Sequence, residues 1–202
     1  MSPGPTFERV YLELKRQLRE GTRPPGTPLE PAAIGEELGT SFTPVRDALH
    51  RLVGEGLVEN PQHNGFSVPR PTEQALRDLY TWNGEALAMM VTGLAKSRET
   101  ARDPIPAQAA PDTSETTPSL FLAIAGASSN REHVRAITNL NDRLAPYRQA
   151  ESCLLTDMRD ELANLVQLLE HRARAELGRA LWAYHKRRIV AVPRILAALT
   201  VH

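Results

Sequence analysis

This chain of 202 residues has little cysteine, few aromatic residues and no net charge. Its single cysteine, Cys153, excludes an internal disulfide framework and a zinc site built from several cysteines. The 24 Lys and Arg residues balance 24 Asp and Glu residues, so no overall field attracts nucleic acid or an anionic membrane. Recognition of such a partner must therefore rest on particular side chains rather than on bulk charge.

The sequence also lacks a long apolar run and the usual signatures of catalysis. Apolar stretches such as residues 121–127 are far shorter than the ~18 residues of a membrane span. Near the N-terminus, Glu8, Arg9 and Glu13 stand where a secretory signal would be apolar. A glycine-rich phosphate loop, a nucleophile elbow and a paired-carboxylate pattern are missing as well. We therefore expect a soluble, cytoplasmic protein without a membrane partner that is not an enzyme.

Composition changes near residue 71 and predicts two domains. Ten of the 16 prolines lie within residues 1–71, whereas the remainder is rich in Ala, Leu and Arg. We place the domains at residues 4–71 and 72–202. Within the second, residues 102–119 contain four prolines together with Ser, Thr and Asp, which predicts a flexible segment.

The first domain shows the pattern of three helices followed by a β-hairpin. Apolar residues recur four apart in the first predicted helix, which ends at Gly21. The second helix fits residues 31–38, and the third begins at Ser41 as its N-cap. Two short strands, residues 57–60 and 65–68, are joined through an Asn-Gly turn. This order is typical of a winged helix-turn-helix.

The second domain is predicted to be an all-α bundle, so the protein as a whole is expected to be mainly α. Pro146 and Pro193 are expected to end or bend two of its helices. The predicted helices cover residues 75–98, 120–127, 131–144, 154–177 and 178–199.

The third predicted helix carries the candidate DNA-reading residues, because a helix-turn-helix lays its second helix in the major groove. Opposite its apolar face stand Phe42, Arg46 and His50, spaced four apart. Arg46 can donate two hydrogen bonds to guanine O6 and N7, and Phe42 can contact a thymine methyl group. Ser41 and Thr43 can bind phosphate through hydroxyl and backbone groups.

A solvated helix face is the alternative interpretation of these residues. Residues 1–72 contain eight Lys and Arg against nine Asp and Glu, so this domain lacks the basic footprint of nucleic-acid binders. Two functions stay open on the residues alone. One is a DNA-reading regulator, and the other is an interaction protein whose winged-helix head has lost DNA binding and acts through a protein or small-molecule partner.

A longer motif runs from Leu29 to Val68. Its residues include Leu38-Gly39, Ser41, Thr43-Pro44-Val45-Arg46, Ala48-Leu49, Arg51-Leu52, Glu55-Gly56-Leu57-Val58 and Gly65-Phe66. This motif resembles the GntR family of bacterial transcription regulators. The resemblance implies a homodimer that binds a double-stranded DNA operator of pseudo-palindromic sequence, with repression released by a small-molecule effector. The DNA contacts it implies are Ser41, Phe42, Thr43, Arg46, His50, Arg51, His63 and Gly65.

Two positions depart from the pattern. Family members that resemble the fatty-acid-responsive branch often carry arginine at the positions of Ala32 and Phe42, and this sequence retains only the third arginine of that set, Arg46. The loss of two cations weakens binding and flattens its salt dependence. An unusual operator or a weaker affinity is the expected consequence, with loss of DNA binding as the alternative.

The second domain looks like an abbreviated, divergent FCD-type domain of the FadR-like subfamily, chiefly through residues 120–130. Domains of this type often bind a divalent metal through an aspartate and three histidines, with an organic acid as effector. Those four positions fall at Thr117, at Phe121, near Leu162 and near Tyr184 or His185. Because one ligand at most survives, the resemblance predicts no metal and no cofactor.

Overall fold

The structure, a computed structural model, describes residues 4–61, 65–94, 113–128 and 130–199. The described residues are mainly α-helical, which confirms the fold class predicted from the sequence. They form two compact units that divide between Pro71 and Thr72.

The N-terminal unit contains three helices, and each buries one apolar face. They are α1 (Pro5–Arg19), α2 (Pro31–Glu37) and α3 (Phe42–Gly54). Helix α3 packs against both α1 and α2, so it is held from two sides while its third side faces solvent. The shared core consists chiefly of Val10, Leu14, Leu18, Leu29, Ile34, Val45, Leu49, Leu52, Phe66 and Val68.

The turn between α2 and α3 is fixed by backbone hydrogen bonds. The Thr40 N–H donates to the Gly35 carbonyl oxygen at 2.8 Å, and Gly39 has a φ of 62°, a left-handed conformation that favours glycine. A Cβ atom on Gly35 would lie 2.9 Å from the Thr40 carbonyl oxygen, so the turn folds tightly onto α2. Ser41 is the N-cap of α3, as predicted, but its side chain makes no capping bond.

The predicted β-hairpin forms only as isolated antiparallel bridges. Glu59 and Ser67 exchange two backbone hydrogen bonds, of 2.9 and 3.0 Å, and Pro28 pairs with Ser67 from the other side. Gly65 has a φ of 95°. The expected tip, residues 62–64 with His63, lies outside the described residues.

The strand predicted over residues 57–60 is too long, because its first two residues belong to the turn that follows α3. The amides of Leu57 and Val58 donate to the Leu52 carbonyl oxygen at 3.0 and 3.3 Å. These bonds satisfy the last turn of the helix, and they leave Glu59 as the residue that pairs across the bridge.

The C-terminal unit is a bundle of helices around two apolar clusters. Helices α4 and α8 pack along each other, and α5 packs against α6 and α7. Helix α4 is capped by the Thr72 hydroxyl, which accepts from the Ala75 N–H at 3.1 Å. The helices are α4 (Glu73–Gly93), α5 (Thr113–Gly126), α6 (Arg131–Leu154), α7 (Met158–Glu170) and α8 (Arg174–Leu199).

The predicted flexible segment 102–119 is wrong in its second part, because α5 begins at Thr113. Residues 102–112 lie outside the described residues. Pro118 sits inside the helix, where it removes one backbone donor. Phe121 and Ile124, buried in the core one and two turns later, supply the packing that holds this proline-containing turn helical.

Pro146 and Pro193 also lie inside helices rather than ending them. Because Pro193 has no N–H, the Ile189 carbonyl oxygen lacks its usual helical donor. The Arg77 guanidinium of α4 supplies one instead, with Nη1 donating to that oxygen at 2.6 Å. The carbonyl oxygen that the proline leaves without its helical donor thus links α8 to α4 through a hydrogen bond.

The single helix predicted over residues 154–177 is wrong, and the one over 178–199 begins four residues early as α8. The helix is interrupted before α7, where Asp157 has a φ of 57°, and again after α7, where Arg172 has a φ of 53°. After Arg172, the Ala173 N–H donates to the Leu168 carbonyl oxygen at 2.9 Å. This is the same helix-ending motif as after α2, but with arginine in the position that favours glycine.

We expect Arg172→Gly to raise the free energy of unfolding by about 1 kcal/mol, because glycine relieves the left-handed strain of an L-residue. The matched change Arg179→Gly, inside α8 and exposed, is expected to lower it by about 1 kcal/mol. Denaturant titration followed by circular dichroism measures both. A loss of stability in Arg172→Gly would contradict the assigned turn.

Candidate nucleic-acid interface and interior polar cluster

The exposed face of α3 brings together most of the predicted DNA-contacting residues. Phe42, Arg46 and His50 are all exposed, as are Ser41 and Thr43 at the start of the helix. The buried face opposite them carries Val45, Ala48, Leu49 and Leu52. The core therefore fixes the rotation of α3 and directs its polar side to solvent.

Arg46 is the exposed cation of this face. No hydrogen-bond or ion-pair partner for it occurs in the described part of the chain. A planar guanidinium with its donors free suits bidentate recognition of a base edge or a phosphate. Asp47 beside it is exposed too, which keeps the local charge close to neutral.

His50 links α3 to the segment after the predicted hairpin tip. Its ring meets the Phe66 ring edge to face, with centroids 4.9 Å apart and planes at 79°. This contact holds His50 near Gly65, so two of the predicted DNA-contacting residues lie on adjoining parts of one surface. His63, the predicted DNA-contacting residue at the hairpin tip, falls outside the described residues.

Arg51 has internal partners. Its guanidinium carbon lies 3.8 Å from the centroid of the Tyr11 ring, and its Nε atom lies 3.3 Å from Glu55 Oε1. Glu55 also accepts from the Tyr11 hydroxyl at 2.7 Å and from Lys15 Nζ at 2.9 Å. Partial burial raises the pKa of Glu55. The hydrogen bonds from Lys15 and Tyr11 lower this pKa by more than burial raises it, so the net shift is downward. Arg51 thus ties α3 to α1 as well as facing solvent.

A second group of polar residues is buried inside the C-terminal unit, and we call it the interior polar cluster. Its members are Tyr80, Asn83, Asn141, Arg148, Glu151, Tyr184, His185 and Arg188. The sequence alone did not single out Arg188, because it stands in a basic run with Lys186 and Arg187 that is typical of a solvated helix face. The overlooked signal is its spacing, because Leu181, Arg188 and Val192 share one buried face of α8.

Glu151 and Arg188 are the charged centre of this cluster. The Arg188 Nε atom donates to Glu151 Oε2 at 2.8 Å, and both side chains are fully buried. The Tyr80 hydroxyl donates to Glu151 Oε1 at 2.6 Å. Burial and the Glu151 carboxylate raise the pKa of Tyr80 well above its usual range. Arg188 also pairs with Glu161 of α7 at 2.8 Å, so the centre joins four helices.

His185 is buried between a carbonyl and an amide. Its Nδ1 lies 2.7 Å from the Leu181 carbonyl oxygen, and its Nε2 lies 2.8 Å from the Asn83 side-chain oxygen, Oδ1. A carbonyl oxygen only accepts, so Nδ1 carries the hydrogen of the neutral ring. Nε2 is then an acceptor, and it is satisfied when the Asn83 amide is turned so that Nδ2, which is buried without a partner in the placed orientation, faces the ring. Burial, together with the charges of Arg188 and Arg148, lowers the pKa of His185 to about 3.

The residues at the metal positions implied by the resemblance do not fit a metal ion. Thr117 and Phe121 replace the first two ligands, Leu162 replaces the third, and only His185 retains a metal-binding ring. No convergent group of three His, Cys, Asp or Glu side chains occurs among the described residues. Buried guanidinium groups close to His185 also disfavour a divalent cation.

The fold and the exposed face of α3 define the N-terminal unit as a helix-turn-helix domain. Residues 6–68 match the family described as bacterial regulatory proteins, gntR family. The N-terminal unit is therefore similar to the domain that defines this family of bacterial regulators.

Relatives extend this similarity unevenly along the chain. The regulator YdhC of Bacillus subtilis is 30% identical over 78 residues, or 39% of this chain and 35% of YdhC. The repressor NagR of B. subtilis is 38% identical over 80 residues, or 39% of this chain and 33% of NagR. The regulator McbR of Escherichia coli is 29% identical over 184 residues, or 88% of this chain and 78% of McbR. The chain thus spans about a third of YdhC and NagR and most of McbR.

The fold of both units has a solved counterpart. The structure of E. coli McbR/YncC matches with a TM-score of 0.71 and 23% identity, covering 95% of this chain and 99% of that one. This likeness shows the architecture. Separately, no helix in the described ranges combines the length and apolar character needed to span a membrane.

The buried neutral state of His185 predicts a pH dependence of stability. The pKa is about 3 in the folded protein and 6.5 ordinarily, so the unfolded chain takes up the proton first and stability is lost as the pH falls below 6.5. Between pH 6.5 and 5, we expect the free energy of unfolding to fall with a contribution of up to about 1.4 kcal/mol per pH unit from this group.

His185→Gln should remove that part of the slope, whereas His171→Gln, at an exposed histidine that also contacts a carbonyl oxygen, should leave it unchanged. Denaturant titrations at pH 5, 5.5, 6 and 6.5 provide the measurement. Equal slopes for all three proteins would refute the neutral buried assignment.

Proposed function

We propose that this protein is a sequence-specific DNA-binding transcription regulator that reads a pseudo-palindromic operator as a homodimer through α3. The observation that carries the proposal is the unpartnered, exposed Arg46 on the solvent side of a helix-turn-helix in a GntR-family domain. Such a helix presents its exposed side chains to base edges in the major groove.

The proposed contacts divide by chemistry. Arg46 reads guanine, and Phe42 packs against a thymine methyl group. Ser41 and Thr43 bind phosphate, which suits a Ser41 hydroxyl without a capping bond. His50 and Gly65 approach the backbone beside the groove together with His63. The donors of Arg51 are partly engaged by Glu55 and Glu8. Arg51 therefore contributes positive charge near the DNA rather than a directed contact to a base.

A homodimer fits the surface of the C-terminal unit. Large apolar side chains are exposed on the paired helices α4 and α8, and a second copy of the chain would cover them. They are Trp82 and Met89 on α4 and Trp182 and Val190 on α8. Two heads joined in this way reach two operator half-sites.

We further propose that the C-terminal unit is an abbreviated FCD-type domain of the FadR-like subfamily, that the regulator represses, and that a small-molecule effector releases it. An effector acts only through a different affinity for the DNA-bound and free states. The similar protein NagR is a transcriptional repressor, which favours this direction of control.

Selection of bound sequences from a random duplex pool, followed by titration at two salt concentrations, tests DNA reading. We expect enrichment of an inverted repeat and an affinity that falls as salt rises. An absence of enrichment at low salt from a folded sample would favour the alternative, an interaction protein whose head does not read DNA. The exposed Phe42 and the neutral head are the features that this alternative would use.

On the selected operator, Arg46→Ala is expected to cost about 1 to 3 kcal/mol and to relax base choice at one position. Arg16→Ala is the matched control, since it removes the same charge from an exposed site on α1, where the ion-pair partners among the described residues are neighbouring glutamates. Fluorescence anisotropy with the operator and with a scrambled duplex measures both variants. An Arg46→Ala protein that binds both duplexes like the original would remove Arg46 from the interface.

Phe42→Arg is expected to strengthen operator binding and to raise the magnitude of the salt slope by about one, because one more cation reaches the phosphates. Leu12→Arg, the same apolar-to-arginine change at an exposed position of α1, should alter neither quantity. Titrations at 50 and 200 mM salt compare the slopes. Identical slopes in the two variants would mean that Phe42 does not face DNA.

A further inference from the structure

The interior of the C-terminal unit contains two guanidinium groups with unused donors. Arg148 is 4% exposed and Arg188 is 0% exposed. The Arg148 Nη1 and Arg188 Nη2 atoms are buried, and neither has a hydrogen-bond partner in the described part of the chain. A buried charged donor left without an acceptor is costly. These two atoms therefore call for acceptors that the protein itself does not supply.

The charge of Arg148 is the less compensated of the two. Arg188 pairs with Glu151 and Glu161. Arg148 donates only to a neutral group, with Nη2 lying 3.0 Å from Asn141 Oδ1, and within the described ranges it has no carboxylate at ion-pair distance. Asn141 is used in turn, because its Nδ2 donates to the Pro118 carbonyl oxygen at 3.2 Å. A negative charge is the complement that Arg148 lacks.

Both guanidinium groups border the same aromatic pair. The Arg148 guanidinium carbon lies 5.5 Å from the centroid of the Phe121 ring, and that of Arg188 lies 3.3 Å from the centroid of the Tyr184 ring. The two rings meet edge to face with centroids 5.5 Å apart. These rings give the region a low dielectric, which strengthens the attraction between a guanidinium and an anion.

We propose that the C-terminal unit binds a small oxyanion directly on Arg148 and Arg188, without a metal ion. The ligand is a carboxylate or a phosphate group, whose negatively charged oxygens accept from guanidinium donors. Binding ties α6 to α8 through one shared ligand. This proposal rests on the proposed function and deepens it, because it assigns the chemical class of the effector. In place of a metal ion held by acidic and histidine ligands, two protein cations would hold the anion directly.

Thermal unfolding and titration calorimetry of the full chain at pH 7, without DNA, test the proposal. Sodium acetate and sodium phosphate are the probes, and sodium chloride at equal ionic strength is the reference. We expect acetate, phosphate or both to raise the unfolding temperature above that in chloride, and the arm with the larger shift identifies the ligand group. Zinc and nickel chlorides are expected to produce no shift that EDTA reverses.

The decisive variant is Arg148→Gln, which removes the charge and the unused donor but retains an amide to bond Asn141. We expect its affinity for the effective anion to fall at least tenfold. Arg135→Gln, at an exposed site of the same helix, should bind the anion like the original protein. Equal effects of chloride and both oxyanions, or equal affinity in Arg148→Gln, would overturn the proposal.

A measurement on the unsubstituted protein covers the case in which Arg148→Gln does not fold. Arginine Nε–Hε resonances in NMR spectra should shift on titration with the effective anion for two buried side chains and reach saturation. Shifts of exposed arginines alone would overturn the site. Because none of these measurements contains DNA, a failure of anion binding leaves operator reading untouched, and a failure of operator reading leaves the anion site intact.

Discussion

The buried ion pair between Arg188 and Glu151 is the interaction on which the C-terminal unit depends. Removal of either partner would leave a charge in the interior, which is far more destabilising than the pair is stabilising. Because Tyr80 donates to the same carboxylate and Glu161 pairs with the same guanidinium, contributions from α4, α6, α7 and α8 are needed together. The four helices are thereby placed in one register, which apolar packing alone specifies less strictly.

The N-terminal unit uses charge differently. Its core is apolar, and its ionic links, centred on Glu55, lie at the edge between α1 and α3. Partly exposed pairs of this kind contribute little each, so the position of α3 follows from burial of its apolar face and from the tight turn at Gly39. The solvent face of α3 therefore retains freedom of chemistry, and Arg46 can remain unpartnered without cost to the fold.

The sequence predicted α3 well because several signals agree there. Ser41 indicates where the helix begins, and the apolar spacing from Val45 to Leu52 indicates the face that it buries. The break at Arg172 was missed because the left-handed position carries arginine, so the usual glycine signal is absent. Pro146 and Pro193 were expected to end or bend helices, and both lie inside one, since packing on both sides outweighs one lost hydrogen bond. In each case, tertiary contacts decided what local propensity left ambiguous.

The candidate sites divide in the same way. Exposed residues of α3 were placed from periodicity alone, since the apolar face of a helix determines its opposite. The interior polar cluster could not be placed, because its members come from helices distant in sequence, such as Tyr80 and Arg188. Spacing on α8 would have shown that Arg188 shares a face with Leu181 and Val192. The partners that neutralise it, however, follow only from the bundle.

The proposed function explains how heads that bind DNA weakly can still make operator binding sensitive to an effector. A head with no net positive charge gains little from phosphate attraction, so a single head binds weakly at physiological salt. In the proposed homodimer two linked heads bind far more tightly, because the second contact becomes intramolecular. The affinity of that homodimer for its proposed operator then depends steeply on whether the helical units hold both heads at the half-site spacing. A ligand that acts on the interior of that unit acts on the quantity to which such a regulator is most sensitive.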